Sequence, residues 1–161
     1  MITSRYTRKT AVLFAAACYG AATLNGEDHA TRDSLRQFGL NLGVAFQMID
    51  DVLDYEGDPA AMGKNVGDDL TEGKPTLPLI YTLARGSADE QALVREAITR
   101  KTAENIDGVL AAVQRCGALQ YTRVRARSYR DLALQGLEQL PQSQWRAALA
   151  DIAELSVDRD R

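Results

Sequence analysis

The chain has 161 residues, with 19 lysines and arginines against 22 aspartates and glutamates, a net charge of −3 and an isoelectric point near 5.2. That length suffices for one domain with a modest core, and an acidic balance without a basic stripe argues against a nucleic-acid partner. Two cysteines, Cys18 and Cys116, are too few for a disulfide framework, so a reduced, cytoplasmic compartment is the expectation.

At the N-terminus Arg5, Arg8 and Lys9 precede Ala11-Val12-Leu13-Phe14-Ala15-Ala16-Ala17-Cys18, which imitates an export signal. The apolar run is too short and too rich in alanine to span a membrane. An amphipathic helix from about 4 to 24, closed by Asn25-Gly26, accounts for it better. The single histidine, His29, falls in the polar turn Glu27-Asp28-His29 and reads as a surface residue.

The next helix, from about 31 to 55, is the informative one. Phe38, Leu42, Ala45, Phe46, Ile49 and Leu53 recur at steps of three and four, the helical period. Gly43, Gln47, Asp50 and Asp54 fall at i, i+4, i+7 and i+11 and line a second face, with Asp51 about 100° round from Asp50. Three carboxylates so close together repel one another and resist desolvation unless something cationic compensates. Oxygen-only ligands suit a hard divalent ion, Mg²⁺ above all, which takes one or two carboxylates and completes its shell with water and phosphate. A solvated acidic helix end is the plain alternative, but apolar residues surround these carboxylates and Gln47 shares their face.

Residues 57–78 contain four glycines and three prolines and read as a loop. Its only cations are Lys64 and Lys74, with Asp68 and Asp69 between them. A metal–diphosphate needs carboxylates for the ion and ammonium groups for the phosphate oxygens, and helix and loop together supply both. Downstream, Thr76 with Pro78 opens a helix to about Ala84, and Ser87-Ala88-Asp89-Glu90 reads as a capping box for one to about Lys101. Ile106, Val109, Leu110 and Val113 mark another, ended near Cys116-Gly117. A long helix from Ala118 to about Leu140 carries Leu119, Val124, Tyr129, Leu132, Ala133 and Leu137 among its apolar positions. Pro141 stops it, and Ser143 caps a last helix to about Val157. Trp145 reads as core. Arg123, Arg125, Arg127 and Arg130 read as a solvated helix face with ordinary ion pairs. No convincing β run occurs, so the fold class is all-α.

Phe46-Gln47-x-x-Asp50-Asp51-x-x-Asp54-Tyr55, followed by Gly63-Lys64-x-x-Gly67-Asp68-Asp69-Leu70-x-x-Gly73-Lys74-x-Thr76-Leu77-Pro78, resembles the second aspartate-rich region of trans-type polyprenyl diphosphate synthases, most of all their long-chain, octaprenyl branch. The similarity includes Arg8-Lys9-Thr10-Ala11. It covers the C-terminal half of such enzymes, so residues 1–161 would form a single partial domain of the isoprenoid synthase helical bundle.

The resemblance implies a Mg²⁺-dependent prenyltransferase. An allylic diphosphate ionises, and isopentenyl diphosphate attacks the allylic cation and then loses a proton, building a long-chain diphosphate for quinone side chains. By that resemblance Asp50, Asp54 and Asp51 are metal ligands, while Lys9, Lys64 and Lys74 grip the allylic diphosphate. Thr10 and Gln47 hydrogen-bond near the reacting end, so that Lys9, Thr10 and Gln47 form the catalytic set. A homo-oligomer, a dimer, is implied, with no membrane span. The family's first aspartate-rich motif and its basic pocket for isopentenyl diphosphate have no counterpart in the sequence, so the chain alone is expected to be inactive. Two other readings are a non-catalytic or regulatory subunit of a heteromeric synthase and an exported helical binding protein.

Overall fold

The computed structural model describes residues 10–56 and 68–159. Among them the secondary structure is entirely helical, with no strand. Its elements are α1 (Val12–Leu24), α2 (His29–Glu56), α3 (Asp68–Thr71), α4 (Leu77–Arg85), α5 (Ala88–Arg100), α6 (Ile106–Arg115), α7 (Ala118–Leu137) and α8 (Gln144–Asp158). The described residues up to Ile49 and from Val124 to Arg159 form one compact unit, and those from Asp50 to Arg123 form a second.

In the first unit α1 ends as its Asn25-Gly26 signal predicts. Gly26 adopts φ +75°, its N–H donates to Thr23, and the Glu27 N–H donates to Ala22. This is the paired-bond cap that only a left-handed residue can close. Of the stretch that imitates an export signal, the described residues run into α1, with Ala15 and Ala22 buried, while residues 4–9 of the expected helix lie outside the described residues. Helix α2 begins two residues before the predicted start, because Asp28 rather than a later residue is its cap. The Asp28 carboxylate accepts the Thr31 N–H at 2.8 Å, which holds its pKa below the ordinary aspartate value. His29 thus opens the helix instead of lying in a turn, and its side chain is exposed.

Two glycines decide how α1 meets α2. A Cβ on Gly39 would stand 2.5 Å from the Phe14 carbonyl oxygen, and one on Gly43 would stand 2.6 Å from the Ala11 Cα. The two backbones touch there, in a Gly-x-x-x-Gly groove along α2. On another side Phe38 and Leu42 pack with Ala133 and Leu137 of α7 and Ala153 of α8. The Ser34 hydroxyl donates to the Gly136 carbonyl at 2.8 Å across that crossing.

Two features of this unit, the end of α7 and the exposure of Trp145, differ from the sequence expectation. Helix α7 stops at Leu137, three residues short of Leu140, where the Leu140 N–H turns back to the Leu137 carbonyl. Val124 and Leu132 are about half exposed, so they lie off the buried stripe of α7. Trp145 is 73% exposed rather than core, since it sits in the first turn of α8, one turn before Leu149, the first residue of that helix to reach the core. The Ser143 cap is as expected, accepting the Arg146 N–H at 3.1 Å.

In the second unit α4, α5 and α6 pack on one another and α3 packs on α5, around Val52, Leu70, Leu79, Val94, Val109 and Val113. The capping box of α5 is complete: the Ser87 hydroxyl accepts the Glu90 N–H while the Glu90 carboxylate accepts the Ser87 N–H. Cys116 ends α6 among the partly buried residues of this core, and Gly117 follows at φ +73°. Each of the four arginines of α7, Arg123 in this unit and the other three in the first, has a partner. Arg123 pairs with Glu56, Arg130 with Asp131 at 2.8 Å and Arg127 with Asp158 at 4.0 Å, while Arg125 lies over the Tyr129 ring.

Candidate functional site

The described residues among those singled out by the sequence fall in three places: just before α1, on the second half of α2 and in the turn that follows α3. Lys9 and Lys64 lie outside the described residues. Thr10 is half-buried and precedes Ala11, whose Cα rests on Gly43. Gln47 is one turn beyond Gly43 on the same face of α2. The close crossing therefore brings the start of α1 onto the helical face that carries Gln47.

The Gln47 side chain is itself informative. Its Oε1 is buried with no hydrogen-bond donor among the described residues. Such an orphan costs about 1–3 kcal/mol, so it calls for a donor from outside the described residues or from a ligand. The residue before it is gripped on two sides. The Arg159 guanidinium lies 4.0 Å over the Phe46 ring and donates to the Phe46 carbonyl at 3.3 Å, while Phe14 of α1 packs against the same ring at 5.9 Å. Sequence reasoning missed Arg159, because a lone arginine beyond the last helix carries no periodic or motif signal.

Asp50, Asp51 and Asp54 follow on α2, Asp50 exposed and the other two half-buried. Among the described residues no three His, Cys, Asp or Glu side chains converge into a group that could hold a metal ion. The three carboxylates are thus a one-sided set of oxygen donors along a helix. Such a set fits an ion that keeps several waters and takes phosphate oxygens for the rest of its shell, as Mg²⁺ does, and does not fit a protein-only cage.

The stretch 57–78, which reads as continuous loop, contains α3 from Asp68 to Thr71. Its end is a second paired-bond cap: the Gly73 N–H donates to Leu70 at 2.9 Å, the Lys74 N–H donates to Asp69 at 2.8 Å, and Gly73 has φ +69°. Thr-Glu-Gly-Lys-Pro is the sequence signal for it, a glycine just past a helix with proline after. The cap directs the Lys74 ammonium back onto Asp69 at 2.7 Å and Glu72 at 2.5 Å. Those two hydrogen bonds, Asp69 first, push the Lys74 pKa well above its ordinary value and keep the lysine charged.

Tyr55 and Thr76 flank this turn and were not singled out by the sequence as site residues. Both are buried, and their hydroxyls lie 2.9 Å apart. Thr76 occupies the N-cap position of α4 as predicted, but its hydroxyl makes no capping bond because it is committed to Tyr55. Burial raises the Tyr55 pKa far above the usual phenol value, so the hydroxyl stays protonated. The bond ties the end of α2 to the residue just after Lys74-Pro75.

An all-helical chain with an aspartate-rich helix and a lysine-bearing glycine turn after it belongs to the polyprenyl synthetase family, whose model matches residues 3–115. Among curated proteins it is similar to the octaprenyl diphosphate synthase of Escherichia coli K12, 44% identical over 95% of this chain and 48% of that protein. The octaprenyl diphosphate synthase of Haemophilus influenzae is 46% identical over 94% of this chain and 46% of that protein. The crystal structure of a polyprenyl synthase from Caulobacter crescentus CB15, complexed with calcium and isoprenyl diphosphate, aligns with a TM-score of 0.91 at 40% identity, covering 99% of this chain and 49% of that one. The chain spans about half the length of the curated relatives it matches. Among the described residues no helix is long and apolar enough to cross a membrane.

Proposed function

We propose that the chain supplies the allylic-diphosphate side of a trans-prenyltransferase that elongates an allylic diphosphate with isopentenyl diphosphate, to octaprenyl diphosphate or a product of similar length. The observation that carries this reading is the arrangement along α2, where a buried Gln47 carbonyl with no donor among the described residues is followed on the same helix by Asp50, Asp51 and Asp54. The Caulobacter relative's calcium and isoprenyl diphosphate support it, because calcium and magnesium share a preference for oxygen ligands.

In this reading Asp50 and Asp54, with Asp51 beside them, hold Mg²⁺, which when bound neutralises charge developing on the leaving diphosphate. Lys9, Lys64 and Lys74 take the diphosphate oxygens. Lys74 is already charged and aimed by its cap, and it exchanges Asp69 and Glu72 for phosphate when the substrate arrives. Thr10, from the start of α1, and Gln47 hydrogen-bond near the reacting end of the substrate, fixed polar groups beside the carbon that becomes positive. The chain acts as the C-terminal half of a bundle whose other half carries the first aspartate motif and the isopentenyl diphosphate pocket. The complete enzyme is a cytoplasmic homodimer, and the 161 residues alone do not elongate.

The test is a calorimetric titration of Mg²⁺ into the chain with and without a non-ionisable allylic diphosphate analogue. Mg²⁺ alone binds weakly, the analogue tightens it, and Asp50→Asn removes that gain. Equal Mg²⁺ affinity with and without the analogue overturns the reading.

A further inference from the structure

Lys101 ends α5 and is the only non-glycine residue with positive φ among the described residues, at +51°. The left-handed region is sterically costly for a side chain with a Cβ, and glycine is the usual occupant of that cap position. Gly26, Gly73 and Gly117 take the equivalent turns after α1, α3 and α6. At α5 a lysine stands instead, held by its own N–H bond to the Ala97 carbonyl and by that of Thr102 to the same oxygen.

The side chain shows what the position gains. A Cβ built on Gly73 would lie 2.9 Å from Lys101 Cε, 3.0 Å from its Cγ and 3.3 Å from its Cδ. The aliphatic stem of Lys101 therefore lies flat across the Cα of Gly73, the residue whose left-handed turn closes the cap of α3 and sends out Lys74. Two left-handed residues from different helices interlock. Gly73 is required both by its φ and by the absence of space, and Lys101 is the lid over it. A stem of this kind covers apolar backbone while its ammonium stays in water.

We propose that Lys101 is a positioning residue for Lys74: its stem, launched from a left-handed cap, holds the Gly73 turn closed and so keeps the Lys74 ammonium aimed. The role of Lys74 toward a diphosphate rests on the function proposed above, whereas the interlock itself does not. The stem, and not the charge, does the holding, so Lys101→Met preserves the effect. Lys101→Gly abolishes it, even though glycine relieves the backbone at that position.

Amide hydrogen exchange of the 161-residue chain reads the interlock directly. In Lys101→Gly the Gly73 and Lys74 amides exchange faster by on the order of tenfold, while amides of α6 and α8 do not change; in Lys101→Met all stay at the wild-type rate. Unchanged exchange at Gly73 and Lys74 in Lys101→Gly overturns the proposal, as does equal acceleration in Lys101→Met. A second measurement, affinity for inorganic diphosphate with Mg²⁺, separates the two claims. Weaker binding in Lys101→Gly with rescue by Lys101→Met supports positioning of Lys74. Wild-type-like binding despite a loosened turn overturns that positioning. No diphosphate binding by the wild-type chain overturns the proposed function and leaves exchange to decide the interlock.

Discussion

Replacing Gly43 by alanine tests whether the contact between α1 and α2 governs the site. The added Cβ would stand 2.6 Å from the Ala11 Cα, and because that atom is backbone no rotamer change can clear it. Restoring an ordinary carbon–carbon separation of about 3.5 Å requires α1 to retreat by roughly 1 Å. Overpacking of this kind costs about 1–3 kcal/mol, while exchanging glycine for alanine inside a helix returns about 1 kcal/mol of propensity. Gly20 isolates the propensity term, since it lies within α1 with nothing within 4 Å of its Cβ position. The expected result is that Gly20→Ala raises stability by up to about 1 kcal/mol while Gly43→Ala falls below it by about 1–3 kcal/mol, with unchanged denaturant slopes in urea titrations followed by circular dichroism. Gly39→Ala behaves like Gly43→Ala, and the double variant costs less than the sum because both push the same helix in the same direction. A Gly43→Ala chain as stable as Gly20→Ala would show that α1 does not rest on α2 at this point. The placement of Thr10 on the face of Gln47 would then lose its basis.

Tyr55→Phe leaves the buried Thr76 hydroxyl without its partner and is expected to cost about 1–3 kcal/mol in the same urea titration. Adding Thr76→Val removes the orphan, so the double variant loses less than the sum of the singles, and strict additivity would contradict the bond. The Ser87 hydrogen bonds hold the Glu90 pKa below its ordinary 4.5, so the folded state binds this proton less readily than the unfolded state. The stability Glu90 contributes is complete above that value and is lost as pH falls through the lower folded value. Thermal midpoints of Glu90→Gln should therefore fall less steeply than those of the parent below about pH 4.5, and identical slopes would refute the linkage.

Much of this protein could be read from local pattern. The apolar period of Phe38, Leu42, Ile49 and Leu53, the capping box at Ser87 and Glu90 and the cap at Ser143 are short-range features. Their hydrogen bonds and buried faces are set by residues within about one turn, so α2, α5 and α8 fall within a few residues of expectation. The oxygen-rich face of Gln47, Asp50 and Asp54 is legible for the same reason, since helical spacing alone puts those side chains together.

What lay beyond the sequence depends on residues far apart in the chain. Gly43 reads as one more member of a polar face, but it proves to be where another backbone lands, and a missing side chain announces no partner. Thr76 carries every sign of a cap, yet its hydroxyl goes to Tyr55, a choice between two acceptable partners that only packing could make. Trp145 has the composition of core but sits a turn before the core begins. Lys101 ends its helix where glycine is usual, and only the fold shows Gly73 beneath it. Local sequence settles which backbone groups can be satisfied nearby; which side chain loses its alternatives to a distant neighbour is settled when the helices close on one another.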